Sequence, residues 1–222
     1  MRAFGVWKEK TEIGKILTEE LGLPVLLQNN VDAFAQAKLL YGVGRTKSNL
    51  LIIKWGPGVG GTVVINDQIY EGRHGRSAEI GHYIVDPRGE RCGCGRRGCL
   101  ETVVSYKALQ KILPFPAGGL GEAYEEAPEI KRDAIREKIR LFARCIVNTG
   151  TTLAPDRIIL CGSLLKGENI REELIGACQE YDPAYSSKRI VYTSLSKKEG
   201  YIGPLAVFAE ELLISGGMSA IH

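Results

Sequence analysis

The chain has 222 residues, 44% of them hydrophobic and 25% charged, with a formal net charge of +3. This is the balance of an ordinary globular protein with a sizeable core, and the charge is too small and too dispersed to point by itself to a nucleic acid. No apolar run approaches the ~18 residues of a membrane helix and no signal-peptide core opens the chain, so the expected compartment is the cytoplasm and no membrane partner is expected.

The first ten residues suggest no element. From Thr11 to Leu21 the spacing of Ile13, Ile16, Leu17 and Leu21 predicts an amphipathic helix, with Thr11 as its cap and Gly22 as its stop. Pro24 to Leu27 reads as a short buried strand that runs into Gln28-Asn29-Asn30 and a helix from Val31 to Leu40, closed by Gly42. Polar side chains where a strand ends and a helix begins are where open α/β sheets place ligands, so Asn29 and Asn30 are candidate contacts; helix capping accounts for them equally. Asn49 to Trp55 is a second buried strand. It leads into the glycine-rich stretch Gly56-Pro57-Gly58-Val59-Gly60-Gly61 and a hairpin turning at Asn66-Asp67. Backbone N–H groups at Gly58, Gly60 and Gly61 could cradle a phosphate, but the stretch lacks the Lys-Ser/Thr of a P-loop, and a plain turn into the hairpin is the competing reading.

Beyond residue 101 the pattern predicts a helix from Val103 to Leu113, a break over Pro114 to Gly121, and a long helix from Pro128 to Thr149. That long helix carries an apolar stripe of Ile135, Ile139, Phe142, Ala143, Ile146 and Val147. Then come a strand from Arg157 to Cys161 followed by Gly162, a helix from Asn169 to Tyr181, a strand from Ile190 to Thr193, and a last helix from Gly203-Pro204 to Ile214. Strands alternating with helices, plus one antiparallel hairpin, imply a layered α/β fold with a mixed sheet. Six cysteines do not make a disulfide scaffold in a chain of this size. Cys145, Cys161 and Cys178 stand in apolar contexts, as small buried side chains do.

The stretch with the most chemistry is Glu79 to Glu101, EIGHYIVDPRGERCGCGRRGCLE. His82, Cys92, Cys94 and Cys99 are a donor set suited to a closed tetrahedral zinc site, and Gly93, Gly95 and Gly98 allow a tight wrap around an ion. Three small buried or disulfide-bonded cysteines are the alternative, because the more usual zinc pattern is a pair of CxxC motifs. Glu79 and Glu101 stand three residues before one donor and two after another, so a bound ion would hold these carboxylates near one another.

The run ExGH at Glu79 to His82, followed by CGCGxxGCLE from Cys92 to Glu101, resembles the signature of the ROK family of sugar kinases and sugar-responsive transcriptional repressors. GLPVLLQNN, WGPGVGGTVVINDQIYEG, LAPDRIILCGS and IGPLAVFAEELL extend the resemblance over nearly the whole chain. It implies the two-lobed actin-like, ribonuclease-H-like ATPase fold, with residues 1–45 as a remnant of the first lobe ending in the Asn-Asn loop. Residues 46–203 would form the second lobe with a zinc-binding insertion, and 204–222 a closing helix and tail. It implies His82, Cys92, Cys94 and Cys99 as ligands of a structural zinc, and Asn29, Asn30, Glu79, His82 and Glu101 as contacts to sugar hydroxyls. Gly58, Gly60, Gly61 and Gly162 would line a nucleotide if one binds, and a homo-oligomer is expected.

The chain departs from the kinase pattern at informative places. Where the kinases carry an aspartate as general base, this chain has Asn30, whose amide is far too weak a base near neutral pH. Asp32, two residues on, would face differently. Pro57 replaces a threonine usual in the kinases, and Cys161 would crowd a nucleotide. No DxGGT-like phosphate loop precedes Pro24, and no winged helix for DNA is present. The resemblance therefore implies the sugar-sensing effector part of a ROK-type repressor, with a monosaccharide as its partner, no catalytic residue of its own, and no nucleic-acid contact by this stretch. The alternatives are a truncated hexose or amino-sugar kinase using ATP and Mg²⁺, and a degenerate family member that keeps the zinc but binds no ligand.

Overall fold

A computed structural model describes residues 12–41, 49–73, 77–185, 188–193 and 199–210. The first helix, α1, spans Ile13–Leu21 and ends as expected: Gly22 takes a left-handed conformation (φ 61°) and its N–H bonds the Thr18 carbonyl. Thr11 and Gly42 lie outside the described residues. The predicted strand at Pro24 to Leu27 does not form; the segment is irregular, with Leu23, Leu26 and Leu27 exposed. An apolar run becomes a strand only when another backbone takes up its N–H and C=O groups, and no described backbone pairs with this one. Helix α2, Asn30–Tyr41, starts one residue earlier than expected.

Strand β1 (Leu50–Trp55) is buried along almost its full length, as suits an apolar run covered on both faces. It turns through Gly56-Pro57-Gly58 into the antiparallel β2 (Val59–Ile65), in a register from Trp55↔Val59 to Leu50↔Val64. Asn66 and Asp67, both at positive φ (51° and 64°), make the two-residue turn to β3 (Gln68–Ile69). The sequence was read as one helix from Val103 to Leu113; instead α3 (Glu101–Val104) and α4 (Tyr106–Gln110) meet at an extended Ser105. Tertiary bonds explain the break. The Trp55 indole N–H donates to the Val104 carbonyl at 2.7 Å and the Tyr106 N–H to the Gly56 carbonyl at 2.9 Å, so both groups leave the helical ladder for partners on β1 and its turn. A short helix, α5 (Leu120–Glu126), occupies part of what read as a glycine-rich break; it is fixed by burial of Leu120 and Tyr124 and by a 2.7 Å bond from the Tyr124 hydroxyl to Glu173.

Helix α6 (Glu129–Leu153) buries the whole predicted stripe. Each large apolar side chain so covered contributes about 1.5–3 kcal/mol, and Phe142 lies 4.7 Å, centroid to centroid, from Trp55. The chain leaves α6 through Ala154, which adopts the left-handed conformation (φ 44°) where glycine is preferred. Ala154→Gly is expected to stabilise the fold by about 0.5–1 kcal/mol, read as an increase in urea midpoint without change of slope. Strand β4 (Arg157–Cys161) then runs parallel to β1, α7 (Glu168–Tyr181) packs beside α6, and β5 (Ile190–Tyr192) adds parallel to β4. The mixed sheet has the order β3-β2-β1-β4-β5. Cys145, Cys161 and Cys178 are buried and not in disulfides, and burial pushes the Cys178 thiol up to about 12.

The last described helix, α8 (Glu199–Ala209), starts four residues before the expected Gly203-Pro204. Pro204 is thus inside it, where the missing N–H removes one bond, to the carbonyl of residue 200. Gly203 sits against α2, with the site of a Cβ only 3.2 Å from Ala33 Cβ. The chain divides into two compact units: residues 46–195, which hold the sheet and α3 to α7, and residues 1–45 with 196–222, which hold α1, α2 and α8. No helix among the described residues is long and apolar enough to cross a membrane.

Candidate metal and ligand site

Residues 79–100 form a knuckle with no α-helix and no strand longer than an isolated bridge, and its backbone hydrogen bonds explain how so irregular a segment is fixed. A single tight turn, Ile80–His82, follows Ala78, a non-glycine residue at φ 46°. Left-handed alanine costs on the order of 1 kcal/mol, and the turn is held by close packing: a Cβ on Gly81 would collide with the Val59 carbonyl on β2. Further on, the Cys92 N–H bonds Arg96 O (2.8 Å), the Gly98 N–H bonds Glu90 O (2.9 Å), and the Val85 N–H bonds Gly98 O (2.8 Å). Isolated antiparallel bridges join Ile84 to Cys99 and Arg91 to Arg97. Gly98 has positive φ (65°), and a Cβ there would occupy the space of the Asp86 carbonyl, so this glycine is obligatory for the wrap.

The consequence is that four donors separated in sequence converge. His82 Nδ1 lies 3.6 Å from Cys92 Sγ, Cys94 Sγ lies 3.6 Å from Cys99 Sγ, and all four donor atoms lie within 4.8 Å of one another. The three sulfurs are free thiols, which removes the disulfide alternative. Cys92 and Cys99 are buried, and His82 and Cys94 partly so. Burial, reinforced by hydrogen bonds with Cys94 and Cys92, pushes the Cys99 thiol up to about 12; burial also raises Cys92. Burial opposes the Cys94 thiolate too, but bonding to Arg96 and the neighbouring thiols outweighs it and brings that group down to about 7. Three thiolates at this spacing repel one another unless a cation lies among them, and a small tetrahedral cation is what the donor set and separations suit.

The proposed hydroxyl contacts fall in different places. Glu79 Oε2 lies 3.6 Å from His82 Nε2, on the side of the ring away from the cysteines. Glu101 opens α3 two residues after Cys99, and its Oε2 accepts the Val59 N–H at 3.1 Å. A Cβ on Gly58 would overlap that carboxylate oxygen, so Gly58 makes room for Glu101 beside the β1–β2 turn, a relation the sequence does not display. Gly60 and Gly61 are ladder residues of β2 opposite Lys54 and Ile53. Gly162 (φ 118°) lies where β4 ends, packed on the Trp55 carbonyl, and Cys161 is buried with its thiol 3.6 Å from Ile53 O. Asn29 and Asn30 belong to the other unit. Asn29 Oδ1 accepts the Val31 N–H at 2.8 Å, capping α2, whose first residue is Asn30. Asp32 is buried in the same first turn.

Comparison with known proteins agrees with this architecture. The chain is 26% identical to a xylose repressor of Bacillus spizizenii over 93% of its length and 56% of the repressor's. It is 30% identical to a glucokinase of Halalkalibacterium halodurans over 78% of its length and 58% of the kinase's. It thus spans little more than half of these curated relatives. Among solved structures, a ROK hexokinase from Thermus thermophilus superposes with a TM-score of 0.74 at 26% identity, covering 89% of this chain and 70% of that one. The fold is therefore that of the actin-like sugar kinases, a mixed α/β architecture. The ROK family model matches residues 5–211, and the chain belongs to the ROK family.

Proposed function

We propose that the chain is the sugar-sensing effector part of a ROK-type transcriptional regulator whose DNA-binding head lies outside it, and that it binds a monosaccharide beside a structural zinc without phosphorylating it. The observation that carries this reading is Asn30. It stands where the resemblance puts the kinase base, and an amide cannot accept the hydroxyl proton. A sensor needs to hold the sugar, not to activate it.

The residues present fit zinc. One imidazole and three thiolates make a closed shell, with Zn–S bonds of about 2.3 Å in such sites. The ion would supply charge neutralisation and a fixed backbone, with no part in a reaction. His82 would ligate through Nδ1, which faces Cys92, while Nε2 on the Glu79 side donates to a hydroxyl. Glu79 and Glu101 then accept from hydroxyls, and with the His82 donor they give the directional mixture a pyranose requires. Sugar binding would shift a conformational equilibrium and so the geometry of the DNA-binding heads of a homo-oligomer.

The glucokinase relative favours a second reading, an ATP-dependent hexose or amino-sugar kinase. It needs Mg²⁺ and ATP beside Gly58, Gly60, Gly61 and Gly162, and transfer without an Asn30 base, by positioning alone. Calorimetric titration of the full-length protein with a monosaccharide panel, with and without ATP, separates the two. The effector reading expects saturable sugar heat without ATP and no ADP release. Turnover at an ordinary enzymatic rate, about 1 s⁻¹ or more, would overturn it.

A further inference from the structure

The knuckle also carries a charge pattern that metal binding leaves unexplained. Arg91 and Arg97 face each other directly across an antiparallel bridge, and both are exposed. Like charges directly opposite on paired strands destabilise the pair. Among the described residues neither arginine forms an ion pair; Arg97 Nη1 donates to the Gly89 carbonyl at 3.5 Å. The neighbouring carboxylates are engaged elsewhere. Glu90 is held by Lys111 Nζ at 2.7 and 2.9 Å, and Asp86 Oδ1 accepts the Arg88 N–H at 3.0 Å. Arg88 and Arg96 are also exposed, Arg96 bonding the Cys94 thiol, and Ile84, 55% exposed, pairs with Cys99 two residues after Arg97.

From this juxtaposition we propose that the outer face of the knuckle is a docking surface for an acidic segment of a partner protein, with Arg91 and Arg97 clamping its carboxylates and Ile84 as the apolar contact beside them. Guanidinium groups bind carboxylates through paired N–H donors, and arginine with an exposed apolar neighbour is the composition of a protein interface. The backbone beneath is tied by the bonds of Gly98 and Val85, so little main-chain ordering accompanies binding. A polypeptide suits the surface better than nucleic acid does. The basic face is short, whereas phosphate tracking uses a row of cations along the strand. The inference does not depend on which sugar, if any, the chain binds.

Fluorescence anisotropy of the full-length protein tests it, with a labelled peptide of alternating glutamate and leucine as probe. Glutamine-for-glutamate peptide, duplex DNA and pyrophosphate serve as comparison ligands. The Glu–Leu peptide is expected to bind at least roughly tenfold more tightly than any of these. The double variant Arg91→Gln, Arg97→Gln should lose roughly tenfold or more in affinity, while Arg140→Gln on α6 leaves it unchanged. Thermal unfolding of the double variant should occur at or above the parent temperature, because a like-charge pair has been removed. The proposal is overturned by failure of the Glu–Leu peptide to bind, by preference for DNA or pyrophosphate, by unchanged affinity in the double variant, or by its unfolding at lower temperature.

Discussion

Cys99→Ala is expected to abolish stoichiometric metal binding and to lower the unfolding free energy by roughly 3 kcal/mol or more. Cys99 is fully buried, its thiol lies 3.6 Å from that of Cys94, and its backbone bridges Ile84, so it links the donor cluster to the rest of the knuckle. Removing it deprives an ion of a quarter of its shell and leaves the remaining donors crowded without a counter-charge. Cys178→Ala is the matched comparison. That thiol is equally buried, but it packs on α7 away from the donors, and losing one sulfur from an apolar contact costs about 1 kcal/mol. Elemental analysis and denaturant unfolding of both variants check the pair of expectations. Chelation should reproduce the Cys99→Ala loss in the parent protein and add nothing in the variant.

Gly162→Ala is expected to destabilise the 46–195 unit by roughly 3–5 kcal/mol, combining backbone strain with overpacking. At φ 118° and ψ 169° the residue occupies a region that side chains rarely enter, and its missing Cβ is what lets the end of β4 lie on the Trp55 carbonyl. The collision is with backbone of the central strand β1, which cannot swing aside as a side chain can. Denaturant unfolding should show a lower midpoint at unchanged slope. Gly176→Ala provides the contrast. That glycine is inside α7 with open space around it, so the change should stabilise by about 1 kcal/mol through helix propensity alone.

Much of this architecture is legible in the residues because the decisive signals are local. The six-residue stripe of α6 repeats at helical spacing, β1 and β4 are built on the apolar runs Leu50–Ile53 and Ile158–Cys161, and Asn66-Asp67 marks a two-residue hairpin turn, so each element is specified within its own segment. The donor set was readable for the same reason: cysteines and a histidine with intervening glycines have few other uses. What escaped the sequence depends on partners far along the chain. Val104 and Tyr106 give up helical bonding for Trp55 and Gly56, some fifty residues away, so the break at Ser105 has no local mark. Pro24 to Leu27 has the composition of a strand but no described backbone to pair with. Pro204 read as a helix start because it suits a first turn, whereas the packing of Gly203 on Ala33 draws the helix further upstream. The service Gly58 renders to the Glu101 carboxylate is likewise a contact across the fold, invisible until both are placed.

The central claim is that an ion held by His82, Cys92, Cys94 and Cys99 fixes the histidine and carboxylates that bind a sugar. Calorimetric titration of the full-length protein with its best-binding monosaccharide, made before chelation, after it, and after zinc is restored, tests that claim most directly. The account predicts saturable heat in the first and third titrations and at least roughly a tenfold loss of affinity in the second. Equal sugar affinity in the metal-free and zinc-restored protein would contradict it.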